Sequence, residues 1–208
     1  MNQFSPNTQF SFFPPAIKYL LIWNGIFFLA TVNIFGSGWT PLGNALAPFL
    51  VLQPIGDGFL PWQLVSYMFL HADLYHIFFN LFALWIFGQA LEQLWGTKRF
   101  LVYYFLTGIG AGIIQLLVSS GSTIGASGAV FGILLGFGMM FPNRRILLLF
   151  PPIPIKAKYF VAIYGGLELF NGLTRIDSGV AHFAHLGGLV VGFILIKLWK
   201  LKKPSEYA

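Results

Sequence analysis

A serine lies between two glycines at residues 125–128, near the start of a long uncharged hydrophobic segment. Serine is common in membrane helices as a small packing or hydrogen-bonding residue. It also becomes a nucleophile when an adjacent base removes its proton. The tetrapeptide alone favours the packing role, so the rest of the chain must supply a base and oxyanion donors before Ser127 indicates a hydrolase.

Further polar side chains occur in two other hydrophobic segments. His76 and Asn80 are four residues apart and therefore share one face of a helix. His182 and His185 lie near the start of the last segment. Ionisable residues inside membrane spans are costly and mark candidate functional sites, and an imidazole is suited to take the proton of a serine.

The same histidines allow a metal site as the alternative chemistry. Imidazole is the commonest metal ligand, so His182 and His185 could share a metal with His71 and His76. The zinc-protease pattern H-E-x-x-H is absent, and no carboxylate is evidently placed beside them. A transporter would more usually show repeats or broken helix pairs at mid-membrane. We therefore predict no metal and no cofactor.

The composition indicates a polytopic membrane protein. Of 208 residues, 57% are hydrophobic and 9% charged, against about 25% charged in an ordinary soluble domain. The net charge of +6 comes from short basic clusters between hydrophobic runs, which fits topology signals better than a nucleic-acid-binding face. The absence of cysteine excludes a disulfide framework and a thiolate nucleophile. The first 15 residues carry no basic side chain, so we expect the first run to be a retained span rather than a signal peptide.

Six hydrophobic runs approach the roughly 20 residues that a membrane helix needs. They are residues 16–35, 74–95, 100–119, 123–141, 159–173 and 180–198. Eleven of the twelve Lys and Arg residues fall on one side of such a bundle and only Arg175 on the other, which places both termini in the cytoplasm. We predict an all-α bundle of six transmembrane helices, forming one domain over 16–199 between a short cytoplasmic segment, 1–15, and a cytoplasmic tail, 200–208. The connection 36–73 is expected partly in the outer interface, and the proline-broken piece 146–155 in a loop or at the interface.

This orientation brings the polar residues into one layer below the outer surface, because each lies in the outer turns of its helix at about 1.5 Å of depth per residue. Small residues at helical spacing allow the fourth and sixth helices to approach closely, which would bring Ser127 within reach of His185. These residues are Gly125, Gly128, Gly132 and Gly136 on the fourth helix and Ala184, Gly188 and Gly192 on the sixth.

A Ser-His dyad is the chemistry that this layer predicts. The His76 side chain, the Asn80 amide and the Ser127 backbone N–H could donate to a developing oxyanion. A third, acidic member is not apparent, since the aspartates fall in outer connections and Glu92 lies at the inner end of its helix. Only Glu168 is deep enough to consider, and we expect the sparser dyad.

The chain resembles the rhomboid family of intramembrane serine proteases, in its six-span bacterial form. The matching pieces are H-x4-H-x3-N from His71 to Asn80, G-A-S-G at 125–128, and A-H-L-G-G at 184–188 followed by Gly192. The match covers roughly residues 62–192. The resemblance implies Ser127 as nucleophile, His185 as general base and then general acid, and His76 and Asn80 as oxyanion donors.

The resemblance extends to supporting positions, with two departures. Gln63 stands where many relatives carry Arg, and Phe131 where many carry a Tyr packed on the catalytic histidine. Phe131 keeps the stacking ring and loses the hydroxyl. Glu92, Gly96 and Arg99 resemble a family signature that we interpret as structural.

The function implied by the resemblance is intramembrane proteolysis by a multi-pass serine endopeptidase. Its substrates would be transmembrane proteins, cut near the outer membrane face in a water-filled cavity lined by His76, Asn80 and His185. The compact form suggests a bacterial cytoplasmic membrane, and the fifth span or its outer loop, 171–178, is the expected entry point. A catalytically inactive membrane-protein binder on the same fold is the alternative.

Overall fold

The computed structural model describes residues 12–34, 36, 38–148, 151–174 and 181–204, and these are mostly helical. The helices are α1 Pro15–Thr31, α2 Pro41–Leu50, α3 Gln63–Ser66, α4 Leu74–Trp95, α5 Thr97–Val118, α6 Ser127–Met140, α7 Ala157–Thr174 and α8 His182–Leu198. A one-turn 3₁₀ helix, Tyr67–Phe69, follows α3, and the strands β1 Arg145–Leu147 and β2 Pro154–Lys156 precede α7.

The six longest of these helices overlap the six hydrophobic runs. By length and composition, α4 and α5, of 22 residues each, are able to cross a membrane. The helices α1, α6 and α8 are also apolar but shorter, at 17, 14 and 17 residues. Large apolar side chains are widely exposed, including Tyr75 at 79% and Leu117 at 74%. Exposed apolar surface on this scale is unusual for a water-soluble monomer and fits contact with lipid.

Helix α6 is the most enclosed of the long helices, with ten of its fourteen residues buried. Its glycines make this possible: a Cβ at Gly128 would meet the Ala111 side chain of α5 at 2.5 Å, and one at Gly188 of α8 would collide with the Gly128 carbonyl oxygen. The predicted close approach of α6 and α8 is therefore confirmed. The hydroxyl of Tyr103 on α5 also donates to the Gly132 carbonyl, at 2.7 Å.

The start of α6 differs from the prediction. The hydrophobic run begins at Thr123, but the helix begins four residues later, at Ser127. Thr123 pairs instead with Leu52 of the connection 36–73, the predicted outer connection, through N–H to carbonyl bonds of 2.9 and 3.1 Å. Gly125 has a φ of +117°, a conformation that interrupts a right-handed helix. Ser127 therefore lies at the helix N-terminus rather than one turn inside it.

The outer connection is more regular than a loop, since it contains α2, α3 and the 3₁₀ helix. Its centre is the fully buried side chain of Gln63. The amide oxygen accepts from the N–H groups of Gln53 and Leu60, both at 3.1 Å. The amide nitrogen donates to the carbonyls of Pro48 and Gly58, at 3.0 and 3.3 Å. This one side chain ties four separate points of the connection together.

The piece predicted as a loop or interfacial segment, 146–155, contains most of a β-hairpin. Strands β1 and β2 pair antiparallel with Ile146 opposite Ile155. Pro154 is the first residue of β2, a position where the missing N–H of proline is tolerated. Helix α7, which follows, is loosely packed, because its buried residues are Ala157 and Gly172.

At the opposite end of the bundle from Ser127, Glu92 joins three helices. Its carboxylate accepts from the backbone N–H groups of Ala16 and Ile17 at the start of α1, at 2.9 and 3.0 Å. The hydroxyl of Thr97, at the start of α5, donates to the same carboxylate at 2.7 Å. A helix N-terminus has unpaired N–H groups and favours negative charge. Glu92 is thus placed for the structural role expected of it.

Candidate active site

The hydroxyl of Ser127 and the ring of His185 are in hydrogen-bond contact. The distance from His185 Nε2 to Ser127 Oγ is 2.7 Å. Ser127 is the first residue of α6 and half-buried, while His185 lies in the first turn of α8 and is 8% exposed. The glycine contact between α6 and α8 joins Gly128, the residue after Ser127, to Gly188, one turn after His185, which explains how two helix starts come so close. A base within this distance of a serine hydroxyl can take its proton during attack on a carbonyl.

Phe131, one turn after Ser127 on α6, stacks on the His185 ring. The ring centroids are 4.4 Å apart and the planes differ by 10°. The contact fixes the plane of the imidazole and needs no hydroxyl, so the stacking role predicted for the phenylalanine is present.

The structure also brings Glu168 of α7 to the histidines of α8. Its Oε2 atom lies 2.6 Å from His182 Nδ1, in a hydrogen bond, and 2.9 Å from His185 Nδ1. The first contact has hydrogen-bond alignment, whereas the second has the distance without the alignment, so His185 Nδ1 has no aligned acceptor. Sequence reasoning singled out Glu168 as the only carboxylate deep enough, but it could not predict that the side chain would point at His185.

His76 occupies the space beside Gly125 and Ser127. A Cβ at Gly125 would lie 2.6 Å from His76 Nε2 and 3.8 Å from Ser127 Oγ. The backbone N–H of Ala72 donates to His76 Nδ1 at 3.3 Å, so the neutral ring carries its proton on Nε2, facing this space. The Asp73 side chain accepts from the His76 backbone N–H at 2.8 Å and caps α4.

The N-terminus of α6 adds backbone donors at the same place. The first N–H groups of a helix have no acceptor within it, and Ala126 supplies no side-chain cap. These donors and the positive end of the helix dipole suit an oxyanion forming beside Ser127.

Asn80 is buried one turn further along α4, at 6% exposure. Its amide nitrogen donates to the His76 carbonyl at 2.8 Å. One of its two N–H groups is thus used within α4. The sequence did not reveal this internal bond, and the role of Asn80 as an oxyanion donor stays a prediction.

His71 is fully buried beside His76, with ring centroids 5.0 Å apart in an edge-on arrangement. Burial, and next the nearby His76, lower the pKa of His71 to about 3. The ring therefore stays neutral and is buried in the connection that leads into α4.

Two residues that sequence reasoning missed hold the site in place. Gln115 of α5 is buried, and its amide oxygen accepts from the Ala184 N–H beside His185, at 3.1 Å. The carbonyl of Tyr67 accepts from the Gly125 N–H at 2.9 Å, and its hydroxyl donates to the Gly108 carbonyl at 2.7 Å. Gln115 could have been found as a polar residue in an apolar helix; the Tyr67 backbone bond has no sequence signal.

Glu168, His182 and His185 also form a group that could hold a metal, since their ligand atoms lie within 4.8 Å of one another. This group differs from the four-histidine set weighed from the sequence. Two ligands of a tetrahedral zinc are separated by about 3.3 Å when each bond is about 2.0–2.1 Å. The 2.6 and 2.9 Å separations here are shorter than that, and the 2.6 Å contact is a hydrogen bond.

A shallow cavity of about 690 Å³ lies at the far end of the bundle, away from Ser127. It is lined by Trp95, Gly96, Thr97, Lys98, Arg99, Val102 and Trp199. The predicted cavity at His76, Asn80 and His185 is therefore a different place, and its opening to water stays a prediction.

Apolar helices thus enclose a serine and a histidine in hydrogen-bond contact, an arrangement that serine hydrolases use. A family model described as Rhomboid domain matches residues 59–201. The chain belongs to the rhomboid family, whose members are integral membrane proteins.

Three relatives illustrate the similarity. The chain is 32% identical over 147 residues to "Rhomboid protease GluP" of Bacillus subtilis, a match covering 70% of this chain and 27% of that protein. It is 30% identical over 212 residues to "Rhomboid protein 1, mitochondrial" of Saccharomyces cerevisiae, covering 97% of this chain and 58% of the relative. It is 34% identical over 149 residues to "Putative rhomboid protease YdcA" of Bacillus subtilis, covering 70% and 71%. The chain thus spans about a quarter of the first relative's length and just over half of the second's. Two of these three relatives are named as proteases, which supports a protease function in this family.

Proposed function

We propose that the chain is an intramembrane serine endopeptidase in which Ser127 is the nucleophile and His185 the general base. The observation that carries this proposal is the 2.7 Å separation of His185 Nε2 and Ser127 Oγ. His185 takes the hydroxyl proton as Oγ attacks the scissile carbonyl, and then gives that proton to the leaving amine. Water enters in the second half and releases the acyl group from Ser127.

The oxyanion of the tetrahedral intermediate is stabilised by donors from two helix starts. The Nε2–H of His76 faces the space beside Gly125, and the backbone N–H of Ser127 belongs to the uncapped start of α6. The Asn80 amide supplies a third donor through its remaining N–H. Gly125 is essential because any side chain there fills the space that the oxyanion needs.

The proposed topology has six membrane crossings, with both termini in the cytoplasm. The start of α1 and the end of α4 meet at Glu92, and the Lys98 and Arg99 side chains line a cavity with Trp199 near the end of α8. These ends carry basic residues, which favour the cytoplasmic side. Ser127, His76 and His185 lie at the starts of α6, α4 and α8, so the site faces outward. Residues 16–199 form a single domain; of the predicted cytoplasmic segments 1–15 and 200–208, residues 1–11 and 205–208 lie outside the described residues.

The substrates are transmembrane segments of membrane proteins, cleaved near the outer face of a bacterial cytoplasmic membrane. An unwound peptide backbone is tolerated at membrane depth only where protein or water satisfies it, which is what the outward-facing helix starts provide. The loosely packed α7 is the proposed side of entry. Part of its predicted outer loop, 175–178, lies outside the described residues.

Cleavage of a fluorescent transmembrane substrate by the purified protein in lipid tests the proposal. We expect turnover by the wild type and none by Ser127→Ala. Ser122→Ala is the matched control, because Ser122 is an exposed serine in the connection between α5 and α6, with its hydroxyl donating to the Gln53 side chain at 2.8 Å. Cleavage that is unchanged in Ser127→Ala would overturn the mechanism, and a wild type that binds the substrate without cutting it would favour the inactive binder.

A further inference from the structure

We propose that Glu168 is a positioning residue that orients His185 and stabilises its protonated form, and so supports the Ser127–His185 pair. This inference rests on the proposed function. The three side chains come from α6, α8 and α7, and they are linked by separations of 2.7 Å at Nε2 and 2.9 Å at Nδ1 of the same ring.

The carboxylate decides which nitrogen of His185 carries the proton. An ionised carboxylate only accepts hydrogen bonds, so a ring nitrogen 2.9 Å from it is favoured with its hydrogen attached. With the proton on Nδ1, the neutral ring presents a lone pair at Nε2, which faces the Ser127 hydroxyl. This is the tautomer that a general base requires.

His182 holds Glu168 in this position. The hydrogen bond from His182 Nδ1 to Oε2 is 2.6 Å long, and the His182 ring is 8% exposed. A carboxylate on a membrane helix needs such a partner. In the proposed chemistry His182 therefore acts on the carboxylate.

The contact between Glu168 and His185 is poised to strengthen during the reaction. In the present arrangement His185 Nδ1 has no aligned acceptor although Oε2 is 2.9 Å away. Catalytic hydrogen bonds are often poorly aligned before substrate binds and tighten as charge develops. When Nε2 takes the serine proton, the ring becomes a cation facing an anion at this short distance, which favours the transition state over the ground state.

A purely structural role, in which Glu168 only anchors α7 to α8, is the competing explanation. It predicts lower stability and fewer folded molecules, but normal turnover by each molecule that folds. The two explanations separate when kcat is expressed per site, with sites counted by the endpoint of labelling with a serine-directed fluorophosphonate.

The experiment compares Glu168→Gln, Glu168→Asp and the wild type in one lipid composition, measuring kcat, KM and Tm. We expect Glu168→Gln to lower kcat per labelled site roughly 10- to 100-fold, with KM within about twofold. Glu168→Asp keeps the charge one methylene further away, so its kcat should fall only about three- to tenfold. Glu92→Gln is the matched control: it changes a buried structural carboxylate to the same amide and should lower Tm with kcat per labelled site within about twofold.

Two results would overturn the inference. One is a kcat per labelled site in Glu168→Gln within twofold of the wild type, and the other is Glu168→Asp performing no better than Glu168→Gln. If Glu168→Gln yields no labelled sites, Glu168→Asp decides, and a kcat within twofold of wild type there overturns the inference. A wild type that neither labels nor cleaves refutes the proposed function itself, whereas an active wild type with an unaffected Glu168→Gln refutes only the role of Glu168.

Discussion

Replacing Gly125 with alanine should disable the oxyanion site while leaving Ser127 and His185 in contact. The substitution adds a single methyl group, which would lie 2.6 Å from Nε2 and 2.9 Å from Cε1 of His76. Both separations are far below normal carbon contact distances. The His76 ring must therefore rotate or shift, and the space beside Ser127 is filled.

Two costs follow from this one change. The backbone at Gly125 has a φ of +117°, and holding a residue with a side chain there costs of order 1–3 kcal/mol. For a chain of this size, each kcal/mol lowers Tm by about 2–4 °C. Separately, loss of one oxyanion donor lowers kcat by about 10²–10³. The stability cost alone would leave the folded molecules active.

Gly56→Ala is the matched control for the backbone cost. Gly56 has a φ of +97°, and a Cβ there would meet nothing within 4 Å. We expect Tm to decrease in both variants, and more in Gly125→Ala because its methyl group also meets His76. The kcat, measured with the fluorescent transmembrane substrate and normalised to folded protein, should fall only in Gly125→Ala. Equal kcat in the two variants would refute the placement of the oxyanion beside Gly125.

Three further predictions concern the histidines. His185→Ala should abolish turnover and His182→Ala should leave appreciable activity; the reverse result would identify His182 as the base. A metal chelator should leave cleavage unchanged, and loss of activity that added zinc restores would instead favour a metal at Glu168, His182 and His185. The third prediction concerns buried His71, whose pKa is lowered to about 3. Between about pH 6.5 and pH 3 the unfolded chain therefore binds more protons at this residue than the folded protein does. Acidification in that window should lower the free energy of unfolding by up to about 1.4 kcal/mol per pH unit. His71→Gln should show a shallower pH dependence of Tm, and an identical dependence would contradict this assignment.

The positions of the long helices could be predicted from the length and hydrophobicity of the apolar runs in the sequence. Helix α4 begins and ends at the residues expected, 74 and 95. The contact between Ser127 and His185 followed from glycines that permit close approach, and Gly128 and Gly188 indeed meet. The start of α6 was less predictable, since the pairing of Thr123 with Leu52 joins residues far apart in the chain.

The side-chain directions that complete the site depend on helix rotation, which depth along a span does not determine. Glu168 could be placed in the right layer but not on the face of α7 that meets His185. The bond from Asn80 to the His76 carbonyl depends on a rotamer. The four bonds of Gln63 likewise depend on the folded path of the outer connection, which its prolines and glycines only suggested to be irregular.

Mass spectrometry of the protein labelled with a fluorophosphonate identifies which residue is the nucleophile. We expect a phosphonyl adduct on Ser127, absent in Ser127→Ala and formed much more slowly in His185→Ala, because His185 Nε2 lies 2.7 Å from the reacting oxygen. Ser122→Ala should label at the wild-type rate. An adduct on another residue, or labelling of Ser127 at an unchanged rate without His185, would contradict the proposed mechanism.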